Sequence, residues 1–217
     1  MTKKKIIKKI RESPRSLCLL CELRGKKKPQ RSQRNARRTR RIIKTGGRFI
    51  YLAMYLIRKA TPDDVETIRS IAEITWWATY GPILEKEQIA FMLDEIYSTR
   101  KLASQLTHNT QTYLLLIEGD KPVAFAAYSP REEDPEICKL HKLYCLPETQ
   151  GKGYGKILIK EVINKTIAAG KHTLDLNVNR YNKAKDFYEK MGFAIAYEED
   201  VPIGKYWMND YVMRKEL

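Results

Sequence analysis

Leu140-His-Lys-Leu-Tyr-Cys-Leu-Pro-Glu-Thr-Gln-Gly-Lys-Gly-Tyr-Gly155 is the stretch around which the rest of the chain is arranged. Leu143 to Leu146 read as the end of an apolar strand, and Pro147 stops it. Glycines then occupy alternate positions, Gly151, Gly153 and Gly155. An amphipathic helix follows, with Leu158 and Val162 on one row and Ile159, Ile163 and Ile167 on the next. Strand, glycine turn and helix N-terminus form an arrangement suited to phosphate. Its backbone N–H groups lack side-chain cover, and the helix dipole adds partial positive charge. Lys152 and Lys156 add full charges beside it. The bland alternative is a tight turn and nothing more. A Walker loop is excluded because no Gly-Lys-Ser/Thr closes the stretch, and the spacing is not the GxGxxG of a dinucleotide fold.

Outward from this stretch, charge divides the chain. The 217 residues carry a net +15. Residues 1–53 hold 19 Lys/Arg against Glu12 and Glu22, whereas residues 54–217 hold 22 Lys/Arg against 24 acids. The basic pI thus describes the first quarter, and the remainder is mildly acidic. Residues 1–53 have irregular apolar spacing and are expected to be disordered. They form either an arm for nucleic acid or anionic membrane, or a misread upstream start with Met54 as the true one. Intact-mass analysis of the native protein separates the two. Cys18 and Cys21 have no second pair, so no metal site is predicted, and Cys138 and Cys145 read as reduced core thiols. The longest apolar run, Phe49 to Ile57, is far short of a bilayer span. With no signal-peptide layout either, a cytoplasmic protein is expected.

From Met54 onward the elements alternate. Residues 55–59 suit a strand, and Thr61-Pro-Asp-Asp64 starts a helix with Val65, Ile68, Ile71 and Ile74 inward. Trp76, Trp77 and Tyr80 follow, as core or as the wall of an acceptor pocket. Glu85 to Tyr97 is a second helix, and a third ends near Leu106. Gln111 to Glu118 and Val123 to Tyr128 form a hairpin. Ile137 to Leu146 is the central strand. Leu174 to Val178 is the next, and Asn182 caps a helix to Lys190. Phe193, Ile195 and Tyr197 alternate as a strand, and Met208 to Met213 is the last. Early strands with late βαβ units indicate an α+β or mixed α/β fold.

Two motifs in these late units resemble the GNAT superfamily of acyl-CoA-dependent N-acetyltransferases. One is Gln150-Gly-Lys-Gly-Tyr-Gly155. The other is Asn182-x-Ala184-x-x-Phe187-Tyr188-x-Lys190-x-Gly192-Phe193. The resemblance covers residues 55–217, making 54–217 the catalytic domain, and it implies a mixed, largely antiparallel sheet flanked by helices. It implies acetyl-CoA as co-substrate, its pyrophosphate lying on the N–H groups of residues 151–156, from Gly151 through Lys152, Gly153, Tyr154 and Gly155 to Lys156. Gln150 and Asn182 would also hold it, Asn182 while capping its helix. The family's central strand bulges and splays from a neighbour, here near Leu143 to Cys145, so the amide-rich pantetheine arm pairs there like an added strand. The Leu143 N–H would polarise the thioester carbonyl. Tyr188 matches the tyrosine that protonates the departing thiolate. Many relatives place a Glu on the central strand where this chain has Lys139. By two-residue alternation His141 shares the Lys139 face and is the candidate base, or else a surface histidine; Glu118 and Glu136 are weaker candidates.

The acceptor amine is not written in these motifs. Glu198-Glu-Asp200 and Asp210 lie on strands that often border the acceptor in this family. Thr75-x-x-x-x-Tyr80 and Met208-Asn-Asp-Tyr-Val-Met213 look like the polyamine-type branch. A small-molecule or peptide amine is therefore the expected partner, without a membrane, and a homodimer is a further implication of the family. Two other classes stand beside this. One is a nucleic-acid-binding protein acting through residues 1–53, whose affinity would fall steeply with salt. The other is a non-catalytic acyl-CoA sensor, whose ligand response would survive Tyr188→Phe.

Overall fold

The computed structural model describes residues 37–38, 42–45, 48–51 and 55–217. The strands are β1 (Arg37–Arg38), β2 (Ile42–Thr45), β3 (Arg48–Tyr51), β4 (Tyr55–Lys59), β5 (Thr112–Glu118), β6 (Lys121–Pro130), β7 (Ile137–Cys145), β8 (Thr173–Asn179), β9 (Ala194–Ile203) and β10 (Tyr206–Glu216). Eight of them form one sheet in the order β1-β4-β5-β6-β7-β8-β10-β9. Every pairing is antiparallel except β7 with β8. The fold is the expected mixed α/β one. Strands β2 and β3 pair with each other alone. The rest of residues 1–54, with Cys18 and Cys21, lies outside the described residues, and with it the expectation of disorder there.

Helices cover both faces. On one lie α1 (Val65–Tyr80), α2 (Lys86–Tyr97) and α3 (Thr99–His108). Ile68, Ile89, Met92 and Leu102 pack there on Tyr113, Leu115, Phe125 and Ala127. On the other lie α4 (Tyr154–Ala168) and α5 (Ala184–Lys190), with Leu158, Ile159 and Val162 against Leu114, Leu116, Leu140 and Leu176. Alternation along β5 sends successive leucines to opposite cores. The start of α1 is fixed locally. Asp64 accepts from Thr61 N–H at 2.8 Å and from both Arg58 terminal nitrogens at 2.6 and 2.7 Å.

Two features of β7 position the site. First, β7 and β8 pair only from Ile137↔Thr173 to Leu140↔Leu176. Beyond that the strands part, β7 running on to Cys145 and β8 to Asn179. Second, Ala127 faces Lys142 while Tyr128 faces Leu140, so His141 is an extra residue. The bulge thus sits two residues before the expected Leu143. Its effect is to reverse the alternation. Cys138 and Leu140 face α4 before it; Leu143 and Cys145 do so after it, and Tyr144 joins the core under α1–α3.

The parting strands are clamped at their closed end. Asp175 is fully buried and accepts from Arg131 at 2.7 Å and from Arg214 at 2.8 and 2.9 Å. Burial alone would raise its pKa, but the Arg214 and Arg131 hydrogen bonds hold it below the usual carboxylate value. At the sheet edge, β9 departs from expectation. Ile195 and Tyr197 are exposed rather than buried, because β9 lies outermost.

Candidate active site

A cleft of about 270 Å³ opens where β7 leaves β8, lined among others by Tyr80, His141, Leu143, Gln150, Asn177, Asn182 and Tyr188. The segment from β7 to α4 supplies its floor and rim. Pro147–Thr149 makes one 3-10 turn, closed by Thr149 N–H to Leu146 O at 2.9 Å and Gln150 N–H to Pro147 O at 3.1 Å. Gly151 and Gly153 then take φ of +80° and +78°, and a Cβ on either would touch nothing within 4 Å. Their requirement is conformational: only glycine adopts this backbone cheaply. Gly155 is different. A Cβ there would stand at ordinary contact distance, 3.5 Å from the Phe187 ring and 3.9 Å from Cys145 Sγ. The result is an uncovered helix N-terminus, a fit for the phosphates of coenzyme A.

The loop's side chains divide. Lys156 is exposed on the first turn of α4. Lys152 is exposed too, but its Nζ is bound to Glu118 at 2.9 Å. Tyr154 is turned inward, 3% exposed, its hydroxyl donating to Glu118 at 2.7 Å. Tyr154 therefore reaches a site neighbour only through its backbone, and Glu118 is an anchor for the loop rather than a base. Glu136 is likewise held by Lys171 at 2.6 Å.

On β7 the backbone is open where a ligand arm would pair. Leu146 N–H donates to Val123 O of β6 at 2.9 Å. Antiparallel alternation then turns the Leu143 and Cys145 N–H groups the other way, toward the side that β8 has left. Opposite them, α5 presents Tyr188, 8% exposed, seated by edge contacts with Phe187 and Phe193 at 5.2 and 6.0 Å between ring centres. Burial, then the neighbouring Cys145, pushes its pKa well above the usual phenol value. The phenol therefore stays protonated. Burial raises the Cys145 thiol to about 11, which keeps it neutral. Asn182 Oδ1 accepts from Ala184 N–H at 2.9 Å and so steadies the first turn of α5 while lining the cleft.

His141 is placed differently from its sequence reading. It bonds Ser129 Oγ through Nε2 at 2.8 Å. Burial first, then Lys142, Lys139 and Arg131, lowers its pKa to about 3. A group so reluctant to be charged is a poor proton acceptor. In this state the imidazole is neutral and lines the cleft wall.

Sequence reasoning missed Lys142 and named Asp210 only as one of the acids bordering the acceptor. The bulge drives Lys142 under α2 and α3, 6% exposed, where Nζ donates to Gln111 at 2.7 Å and sits 5.2 Å from the Tyr113 ring centre. Burial, then Lys101, lowers its pKa to about 7. Asp210 on β10 is 7% exposed. Burial raises its pKa to about 6, with Asn177, Lys139 and Arg180 opposing and Glu199 adding. Nothing in periodicity marks Lys142; Asp210 was legible only as one acid among several. Tyr80, at the end of α1, is buried and faces both Tyr188 and Asp210.

No helix among the described residues is long and apolar enough to cross a membrane. Comparison with known proteins bears on this site. The acetyltransferase (GNAT) family matches residues 68–193. An uncharacterized N-acetyltransferase of Mycobacterium tuberculosis is 30% identical over 155 residues, 71% of this chain and 98% of that protein. The spermidine N(1)-acetyltransferase of Thermoplasma acidophilum is 28% identical over 166 residues, 74% of this chain and 96% of its own. The crystal structure of the PaiA N-acetyltransferase from Thermoplasma acidophilum in complex with coenzyme A superposes with a TM-score of 0.65 at 27% identity, covering 75% of this chain and 99% of that one.

Proposed function

The chain belongs to the GNAT family of acetyltransferases, and on that premise we propose that it acetylates a primary amine by direct attack on acetyl-CoA, with Tyr188 protonating the departing thiolate. As a family member it is an acyl-CoA-dependent N-acetyltransferase, and acetyl-CoA is its co-substrate. Bound acetyl-CoA supplies an acetyl thioester. The observation that carries the mechanism is the parting of β7 from β8, with the Leu143 N–H side on one wall and Tyr188 on the other. Three groups of this chain then have defined work. The N–H groups at residues 151–156, with Lys156, hold the pyrophosphate end, and Gln150 and Asn182 border the arm. The Leu143 N–H, aided by the open backbone to Cys145, stabilises negative charge on the carbonyl oxygen. Tyr188 delivers a proton to sulfur, which a buried phenol with a raised pKa holds until a thiolate appears beside it.

For the acceptor we favour a polyamine. Glu198, Glu199, Asp200 and Asp210 cluster on β9 and β10. Similarity to the spermidine enzyme supports the same class. We assign the activity to residues 54–217 and none of it to residues 1–53. The test is a steady-state amine screen read by thiol release, with Tyr188→Phe as control. Turnover of spermidine or spermine that Tyr188→Phe lowers about 100-fold is expected. Turnover of another amine with no polyamine turnover would retire the polyamine reading. Turnover undiminished in Tyr188→Phe would remove its role.

A further inference from the structure

Two buried oxygen atoms beside the cleft have no hydrogen-bond partner, although the Asn177 side chain as a whole favours the charged form of Asp210. Asn177 Oδ1 and Asp210 Oδ1 are both shielded from water and neither receives a hydrogen bond. The orientation of Asn177 is fixed, because its Nδ2 donates to Glu199 at 2.7 Å and its oxygen must point elsewhere. Asn177 lies on the cleft wall, one residue past the last β7–β8 pair. Asp210 pairs with Asn179 two residues further on and with Glu199 across β9. Two cations act on Asp210, Lys139 and Arg180, and Arg180 is bound to Glu198 at 3.1 Å and to Asp200 at 2.9 Å.

A buried acceptor without a donor costs free energy, and two together are uncommon in a folded protein. What these two oxygens lack is donors. A hydroxyl brings one donor; a primary ammonium brings three and the charge. Location agrees. Tyr188 and the glycine loop approach the opening from the α4–α5 face, whereas Asp210 faces Tyr80 of α1 on the opposite face. Asn177 lines the cleft and Asp210 lies outside its lining, so an amine seated on both would extend the cleft toward β10 on that second face.

We propose that Asn177 and Asp210 form the seat of the acceptor's primary ammonium and that Asp210 takes its proton. This rests on the transferase reading above and names a base other than His141. The ammonium gives one proton to the Asp210 carboxylate, and its freed lone pair attacks the acetyl carbonyl. The C–N bond forms and the C–S bond breaks. The thiolate takes the Tyr188 proton. The second proton shed by nitrogen passes through solvent to restore Tyr188, and Asp210 returns its own to solvent. The charged and titratable groups facing Asp210 are Glu199 of β9, Lys139 of β7, Arg180 after β8 and Tyr80 of α1.

The test is calorimetric titration of spermidine, and of uncharged 1,8-octanediol, into the coenzyme A complex of the full chain, for wild type, Asp210→Asn and Asn177→Ala. Retained stabilisation by coenzyme A certifies that each variant is folded. Spermidine should bind the wild type, the diol should not, and each variant should weaken spermidine at least tenfold. Wild-type affinity should fall roughly tenfold per pH unit below about 6, with Asp210→Asn flat. A wild type that ignores spermidine, or variants that bind it undiminished, would overturn the seat. Binding without acetyl transfer in the thiol assay would leave the seat standing and remove the transferase reading. Transfer at the wild-type rate in Asp210→Asn would remove its part as base.

Discussion

Tyr188 and Lys142 are both polar groups held in apolar surroundings, with opposite consequences. For Tyr188 the buried form is already the neutral one, so burial stores a proton at no ionic cost. Tyr188→Phe keeps the ring contacts with Phe187 and Phe193 and removes only the hydroxyl. Its kcat should fall about 100-fold, with KM for acetyl-CoA little changed, in a steady-state assay. For Lys142 the charged form is the disfavoured one. Its pKa in the fold is about 7, against 10.5 for an ordinary lysine, so between these values the unfolded chain binds the extra proton. Stability should therefore rise with pH across that window and be lost as pH falls through 7. Urea midpoints at pH 7 and pH 9 should differ in the wild type, and Lys142→Met should narrow the difference. A lysine in a strand of mixed sequence gives no sign of such a position. What put Lys142 there is a backbone irregularity, not its own chemistry.

At the level of elements, the glycines of the loop are not equivalent. Gly153 needs a left-handed backbone, whereas a Cβ on Gly155 would stand at ordinary contact distance from Phe187. Gly153→Ala should cost about 1 kcal/mol in thermal unfolding, from strain alone, and weaken coenzyme A binding. Gly155→Ala should be near neutral, since its methyl would sit at ordinary contact distance; a larger residue there would not. The loop, its helix and the Asn182 motif were readable because their signals are local: glycines, caps and helical periodicity. The parts that were not readable depend on partners distant in sequence. Strict alternation put His141 and Lys139 on one face, and nothing in the sequence announced that Tyr128 and Ala127 would face residues two apart on β7. Likewise Phe193, Ile195 and Tyr197 alternate as a half-buried strand should, yet β9 received the edge place and only Phe193 is buried.

For the molecule as a whole, activity is assigned to the part that carries both cores. A chain shortened to start at Met54 loses β1, whose contribution to the sheet is two residue pairs with β4. It should fold cooperatively and still be stabilised by acetyl-CoA, by about 2.7 kcal/mol at one hundred times Kd, read as a raised unfolding midpoint. A shortened chain that shows no such rise would return a structural role to residues 1–53. The brevity of the β7–β8 pairing has a mechanical meaning as well. Four residue pairs are all the backbone bonding between the β4–β7 half of the sheet and the β8–β10–β9 half. A ligand arm laid along β7, as proposed above, would act as a rivet across the open end of that joint. Occupancy should then be felt far from the ligand: amide exchange should slow in β8 and β10, which the cofactor need not touch, together with β7, which it does.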